Sequence, residues 1–255
     1  MKRYGFLIGL MALALSASPS TATAATVTFD ATLASPSANP LDIGWYNGGG
    51  PNPQDGFTVV TNNGIEIAAR AKQRNGPALH TTDNVYHVPT GAQPGNPTRA
   101  WWNYEWSIDL QPGEVGNLLL DGIQASFTIE NLTQGTSATV NPLTYWDDNA
   151  TWGPGGKVNS TAGTKVGLLS TQWGAQQSGN PTFTDFPLFA GYNMNNNDYF
   201  RFTMSVLDNG RLLASNSIDV AVGDAQVPVP EPGSMILLGT GAVGLIGYRR
   251  RKQAA

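Results

Sequence analysis

Aromatic and acidic residues stand together in one short stretch of this chain. Tyr145, Trp146, Asp147, Asp148 and Trp152 occur within eight residues and lead into a Gly-Pro-Gly-Gly turn. Because the stretch breaks the alternation expected of a strand, it is typical of a loop. Exposed indole rings stack on sugar rings and carboxylates accept hydrogen bonds from sugar hydroxyls, so Trp146 and Trp152 are candidate glycan contacts. A loop that folds its aromatic residues under a sheet edge is the alternative interpretation.

Clustered oxygen ligands raise the question of calcium. Asp147 and Asp148 are adjacent, and a second loop places three asparagines directly before Asp198. Carboxylate and amide oxygens are the hard ligands that Ca²⁺ takes, but neither cluster has the alternating spacing of an EF-hand loop. Calcium at Asp147 and Asp148, or at residues 195–198, therefore competes with solvated turns as the interpretation. No other cofactor is predicted.

The residues of common catalytic sites are absent or poorly spaced. Cysteine is missing, which excludes thiolate nucleophiles and thiolate metal ligands, and His80 and His87 are the only histidines. The sequence contains neither the H-E-x-x-H zinc motif nor the G-x-S-x-G motif of serine hydrolases. A catalytic zinc site or a serine triad would thus need an unusual set of partners.

Acidic residues leave one enzymatic alternative open. Glycoside hydrolysis uses a pair of carboxylates, which Glu66, Glu105, Glu114 and Glu130 would have to supply by meeting in space. Nothing in their spacing favours such a pair. We therefore predict no catalytic residue and a non-enzymatic protein, with a secreted carbohydrate-binding or glycan-active protein as the alternative.

The beginning of the chain has the order of a secretory signal peptide. Lys2 and Arg3 precede an apolar stretch from residue 5 to about residue 17, and Ala22 and Ala24 form a small-residue cleavage site before Ala25. The apolar stretch is shorter than the roughly 20 residues that span a bilayer, which argues against a retained anchor. Residues 1–24 are assigned to the signal peptide, and the secretion machinery is the expected partner.

The other end of the chain combines a stiff turn, an apolar run and a basic cluster. Residues 223–232 form a linker that ends in Pro230-Glu231-Pro232, and residues 233–248 carry no charge. As a helix these 16 residues would be about 24 Å long, against a hydrocarbon core of roughly 30 Å. The span is therefore marginal. The basic end, residues 249–255, would stay on the cytoplasmic side of the inner membrane; its cations are Arg249, Arg250, Arg251 and Lys252.

These three parts, in this order, resemble the PEP-CTERM protein-sorting domain of Gram-negative bacteria, a family also labelled ice-binding protein C-terminal domain. The resemblance implies that an exosortase-type membrane enzyme recognises the tail and cuts near Pro230, Glu231 and Pro232. It also implies a precursor held transiently in the inner membrane and a mature protein at the cell surface or outside the cell. Because such proteins tend to occur in bacteria that make exopolysaccharide, it implies a role in the extracellular matrix or biofilm.

Charge separates the two ends from the part between them. The whole chain has 18 acidic and 14 basic residues, and its net charge is −4. Six of the basic residues but only one acidic residue lie in the two end segments, so the part between carries 17 acidic and eight basic residues, a net charge of −9. Nucleic acid is therefore not a predicted partner, because phosphate binding relies on clustered lysine and arginine.

Alternation predicts strands in the central part. Residues 102–110 alternate apolar and polar side chains from Trp102 to Leu110, and residues 123–130 do the same, as in strands with one buried face. This pattern makes Trp102 and Trp106 core residues. Residues 66–74 also allow a helix by composition, but the neighbouring hairpin favours a strand there.

Two hairpins are predicted from asparagine-glycine pairs. A three-residue loop ending at Gly64 would set Val59 opposite Ile67, whereas a two-residue loop would set Phe57 opposite Arg70, which we judge worse. At Asn209-Gly210 a two-residue turn would set Asp208 opposite Arg211 and Val206 opposite Leu213. Short strands separated by turn signals predict an all-β fold for residues 25–222, as a single antiparallel β-sandwich of jelly-roll type.

Overall fold

The computed structural model describes residues 25–33, 53–110, 118–146, 148–153, 156–159, 169–183 and 186–226. The predicted signal peptide, the Pro-Glu-Pro part of the linker, the predicted membrane helix and the basic tail lie outside these residues. Within them, no helix is long and apolar enough to cross a membrane.

Strands are the main secondary structure of the described residues, and the few helical segments are three or four residues long, which confirms the predicted all-β class. One short α-helix, Pro142–Tyr145, and three 3₁₀ turns interrupt them. The 3₁₀ turns are Leu120–Gly122, Leu169–Thr171 and Pro187–Phe189. The strands are β1 Thr26–Ala31, β2 Phe57–Asn62, β3 Ile65–Gln73, β4 Val85–Val88, β5 Ala92–Gln93, β6 Asn96–Ala100, β7 Trp102–Asp109, β8 Gln124–Asn131, β9 Thr136–Val140, β10 Ala150–Gly153, β11 Gly156–Asn159, β12 Gly174–Gly179, β13 Tyr199–Asp208 and β14 Arg211–Val222.

The strands form two main sheets. The first has seven strands in the order β1-β2-β3-β7-β12-β10-β11, and the second has five in the order β4-β14-β13-β8-β9. A separate hairpin joins β5 and β6. The prediction of a purely antiparallel fold is wrong at one place, because β4 pairs with β14 in parallel. The jelly-roll connectivity stays a prediction.

A continuous aromatic core fills the space between the two main sheets. From the seven-stranded sheet, Trp102, Tyr104 and Trp106 point inward, as the alternation predicts. The Tyr104 ring lies 5.4 Å from Phe202 and the Trp102 ring 5.9 Å from Phe200, both on β13 of the other sheet. Offset and edge-on ring contacts at these distances add to the stabilisation that burial gives. The structural roles predicted for Trp102 and Trp106 are thus confirmed.

The opposite side of β7 departs from the prediction. Alternation suggested one polar, solvated face, yet Asn103, Glu105, Ser107 and Asp109 are all buried. Strand β8, by contrast, has the predicted single buried face. The difference follows from position, because β7 lies between β3 and β12 in the middle of a seven-stranded sheet.

The β2–β3 hairpin corrects the predicted register. Asn63 and Gly64 both have positive φ, as in a type I′ turn, and Asn62 pairs with Ile65. The loop therefore has two residues, not three. The guanidinium of Arg70 lies over the Phe57 ring, 3.9 Å from its centroid. Phe57 opposite Arg70, which the sequence pattern disfavours, is therefore a favourable cation–π contact.

The β13–β14 hairpin confirms the predicted turn but not every pair. Asp208 pairs with Arg211 across Asn209-Gly210, as predicted. Val206 pairs with Ala214 and not with Leu213, because the register shifts by one residue between Val206 and Leu207. A bulge of this kind has no clear signal in the alternation.

Buried polar side chains join the two main sheets. The Tyr86 hydroxyl of β4 donates to the Gly56 carbonyl at 3.0 Å and also lies 3.0 Å from the Thr58 hydroxyl. From β14, Asn216 Nδ2 donates to the Thr58 carbonyl at 2.8 Å and the Ile67 carbonyl at 3.1 Å. These contacts fix the relative position of the sheets because an unmatched buried polar group is costly.

Tyr86→Phe should change the pH dependence of stability. Burial raises the pKa of Tyr86 from 10.0 to about 12, although the Thr58 hydrogen bond acts to lower it. Between these values the unfolded chain has lost the phenol proton and the folded chain still holds it, so the free energy of unfolding falls as pH rises.

Urea unfolding at about pH 9 and about pH 11 should show a smaller loss of stability for Tyr86→Phe than for the wild type. Tyr145→Phe, which removes an exposed hydroxyl, is the matched control. Parallel profiles for the wild type and Tyr86→Phe would contradict the assignment.

Candidate functional site

Polar residues line the face of the seven-stranded sheet that points away from the aromatic core. We call it the outer polar face. It comprises Glu66, Arg70, Lys72, Asn103, Glu105, Ser107, Asp109, Gln176 and Ser178, which follow from the register of β3, β7 and β12. All except the partly buried Ser178 are buried. Charges held in such a place need partners, since moving an isolated charge out of water is very costly.

Three ionisable groups at the centre of this face form a cluster. Arg70 Nε donates to Glu105 Oε2 at 2.7 Å, its Nη2 lies 2.5 Å from the same oxygen, and Lys72 Nζ lies 3.0 Å from Glu105 Oε1. The side chains of Arg70 and Glu105 are 0% exposed. Burial lowers the pKa of Lys72, and the Glu105 carboxylate partly opposes this change. The Arg70–Glu105–Lys72 cluster is therefore an internal ion network, which alternation in the sequence does not reveal because it does not show that β3 and β7 are neighbours.

A hydrogen-bond chain extends from this cluster to Asn103. Ser178 Oγ donates to Glu105 Oε1 at 3.0 Å and accepts from Asn103 Nδ2 at 3.2 Å. On its other side, Asn103 Oδ1 accepts from Asn180 Nδ2 at 2.8 Å and from Arg74 Nη1 at 3.4 Å. Both the nitrogen and the oxygen of the Asn103 carboxamide are thus hydrogen-bonded.

Of the four glutamates from which a glycosidase pair would have to come, the three that the structure describes do not converge. Glu66 and Glu105 share the outer polar face, but four residues along the strand, about 13 Å, separate their positions. Glu130 lies on β8 of the other main sheet, and Glu114 lies outside the described residues.

A different pair of carboxylates is present. Glu66 and Asp109 are direct cross-strand partners, and both are buried. Their Cβ atoms are therefore about 4.5 to 5.5 Å apart. The pair becomes visible only once β3 is known to lie beside β7, and alternation alone does not reveal which strands are neighbours.

Trp146 and Trp152 do not form one exposed surface, so the prediction that they make a shared glycan platform is wrong. Trp146 is 6% exposed and belongs to the core between the sheets, where it stacks on Phe186 at 6.0 Å. Trp152 is 2% exposed and lies on the other face of its sheet, above Gly174, where any Cβ would collide with the indole. Both indoles are buried, as in the alternative interpretation, but they lie on opposite faces of the sheet.

The candidate calcium ligands are partly engaged. Asp148 Oδ1 accepts from Gln177 Nε2 at 2.5 Å, and Asp147 lies outside the described residues. Asp198 is buried, and its Oδ1 accepts from Gln134 Nε2 at 3.1 Å. Among the described residues, no three histidine or acidic side chains converge as a metal site. Calcium at either loop stays a prediction.

Fold and sequence together define an all-β protein with a sorting signal that follows the described residues in the sequence. Residues 228–252 match the family model described as the PEP-CTERM protein-sorting motif, as the resemblance indicated. The chain thus carries this motif, which marks a substrate of exosortase-type processing and implies export and sorting to the cell surface.

Other comparisons add little. No curated protein sequence matches the chain. Among solved structures the chain matches the crystal structure of FetP from uropathogenic E. coli strain F11, at 12% sequence identity, over 65% of this chain and 92% of that chain. The TM-score of 0.28 is too low to support an inference about this protein.

Glu105→Gln should be strongly destabilising. The substitution removes the anion that neutralises Arg70 in the interior, and breaking a buried ion pair in this way costs about 3 to 5 kcal/mol. The matched control is Arg201→Gln at the partly exposed Arg201–Asp219 pair, where the expected loss is below about 1 kcal/mol. Denaturant unfolding measures both. Equal losses in the two variants would contradict the assignment.

Proposed function

We propose that this protein is a non-enzymatic component of the cell surface or the extracellular matrix, released from its sorting tail by an exosortase-type enzyme. The observation that carries the proposal is the match of residues 228–252 to the PEP-CTERM motif. The secretion machinery and, transiently, the inner membrane are its partners during export. Exopolysaccharide is its proposed partner after release.

The polar interior supports a structural role. Arg70, Lys72 and Glu105 neutralise one another inside the domain, and Asn103 is engaged at both ends of its carboxamide. Groups that are paired in this way depend on one another, because removal of one leaves an uncompensated buried charge, and they link β3 to β7 in a domain that has no disulfides. A stable exported domain of this kind suits a protein that persists outside the cell.

The tail is the part of the proposal that can be measured most directly. Intact-mass measurement on protein recovered from the native host should show a chain that starts near Ala25 and ends near Pro230-Glu231-Pro232. Replacing these three residues by alanine should leave a longer precursor in the membrane fraction, because the processing enzyme no longer recognises its site. A matched replacement of residues 224–226 in the linker should not change processing. Mature protein that still ends at Ala255 would refute the proposal.

A glycan-active protein is the second candidate, and one arrangement favours it. Glu66, Asp109 and Trp152 share the outer face of the seven-stranded sheet, and glycosidases act through a pair of neighbouring carboxylates. The non-enzymatic proposal expects no new reducing ends when the wild type is incubated with the exopolysaccharide of its host.

Matched variants separate the two candidates. Reducing ends that form with the wild type and with Glu130→Gln, but not with Asp109→Asn, would establish the second candidate. Glu130 is the suitable control because it lies on β8, away from the outer polar face.

A further inference from the structure

One lysine and one asparagine on the outer polar face are arranged for reaction with each other. Lys72 of β3 and Asn103 of β7 are direct cross-strand partners on the same face. Their Cβ atoms are therefore about 4.5 to 5.5 Å apart, a distance that the flexible lysine stem spans. We propose that Lys72 Nζ and Asn103 Cγ form an intramolecular amide bond, an isopeptide crosslink between β3 and β7.

The amine has the environment that a nucleophile needs. Lys72 Nζ lies 3.0 Å from Glu105 Oε1, so the carboxylate is in place to accept a proton from the ammonium. The Lys72 side chain is 4% exposed, and burial lowers its pKa, which favours the neutral amine. Arg70 binds the other oxygen of Glu105 and holds the carboxylate in position.

The carboxamide is polarised from its oxygen side. Asn103 Oδ1 accepts from Asn180 Nδ2 at 2.8 Å and lies 3.4 Å from Arg74 Nη1. Asn180 is itself buried and is fixed by hydrogen bonds to the carbonyls of Ala100 and Trp102. When the amine adds to Cγ, negative charge develops on Oδ1, and these donors stabilise it as in an oxyanion hole.

A proton path leads to the leaving group. Asn103 Nδ2 donates to Ser178 Oγ, and Ser178 Oγ donates to Glu105 Oε1, the atom that receives the proton from Lys72. The C–N bond between Lys72 Nζ and Asn103 Cγ forms and the bond between Cγ and Nδ2 breaks. Two protons move from Nζ to the departing nitrogen: one through Glu105 and the Ser178 hydroxyl, which turns from Oε1 to Nδ2, and a second directly from Nζ as the new amide forms. The lysine ammonium and the carboxamide are thus converted into a secondary amide and one ammonium ion, without an oxidant or cofactor.

The crosslink would serve an exported chain that has no cysteine. It would tie the two central strands of the seven-stranded sheet and close the segment of residues 73–102, which contains β4, β5 and β6. A covalent closure of this kind constrains the unfolded chain in the same way as a disulfide.

Mass spectrometry of the full-length chain, exported with its own signal peptide, tests the proposal. After denaturation, the intact mass should be lower than the sequence mass by one ammonia. A tryptic digest should contain a branched peptide that joins Lys72 to Asn103, without cleavage after Lys72. Lys72→Arg keeps the positive charge beside Glu105 but lacks the amine, so it should show the full sequence mass, no branched peptide and a lower melting temperature.

Succinimide formation at the Asn63-Gly64 or Asn209-Gly210 turn loses the same mass and must be distinguished. Mild alkaline treatment hydrolyses a succinimide and leaves an isopeptide bond intact. Folded wild-type protein that yields separate, unmodified peptides containing Lys72 and Asn103 would overturn the proposal. This result does not depend on whether Lys72→Arg folds.

Discussion

Strands β3 and β7 lie in the middle of the seven-stranded sheet and are buried on both faces, so every charge they carry must be matched inside the protein. On one face, β3 and β7 carry no charged side chain and pack in the aromatic core. The other holds Arg70, Lys72 and Glu105 in contact with one another. Because removing one member leaves the others charged and out of water, these residues act as one unit.

The same network fixes neighbouring parts of the fold. Arg70 stacks on Phe57 of β2 and donates to the carbonyl of Asp55, which anchors the start of that strand. On the other side, Ser178 of β12 links Glu105 to Asn103. Four adjacent strands are therefore connected through side chains as well as through their backbone ladders. This arrangement gives a cysteine-free exported domain a second means of cohesion beside its apolar core.

Local patterns in the sequence predicted the strands well but not their neighbours. Alternation identified β7 and β8, and the Asn209-Gly210 pair located the turn before β14. Alternation does not show that β7 has a strand on each side, so it predicts that Glu105 and Asp109 are exposed to solvent, whereas both are buried. Similarly, Phe57 opposite Arg70 looked unfavourable because the carboxylate that neutralises Arg70 comes from a strand 35 residues away.

The sequence revealed the destination of the chain more clearly than the chemistry of its folded domain. A sorting motif is read as a contiguous segment, so Pro230, Glu231 and Pro232 could be found without a structure. A site on a sheet is assembled from several strands. Trp146 and Trp152, close together in sequence, lie on opposite faces of the seven-stranded sheet, whereas Lys72 and Asn103, far apart in sequence, are cross-strand partners.

The central claim is that the charges of the outer polar face depend on one another, and a double-mutant cycle on Arg70→Met and Glu105→Gln tests it most directly. Urea unfolding of the wild type, both single variants and the double variant gives the interaction free energy. The account predicts that the double variant loses less stability than the sum of the single losses, by about 1 to 3 kcal/mol. Losses that add to within about 0.5 kcal/mol would contradict it, since additivity is the behaviour of independent sites.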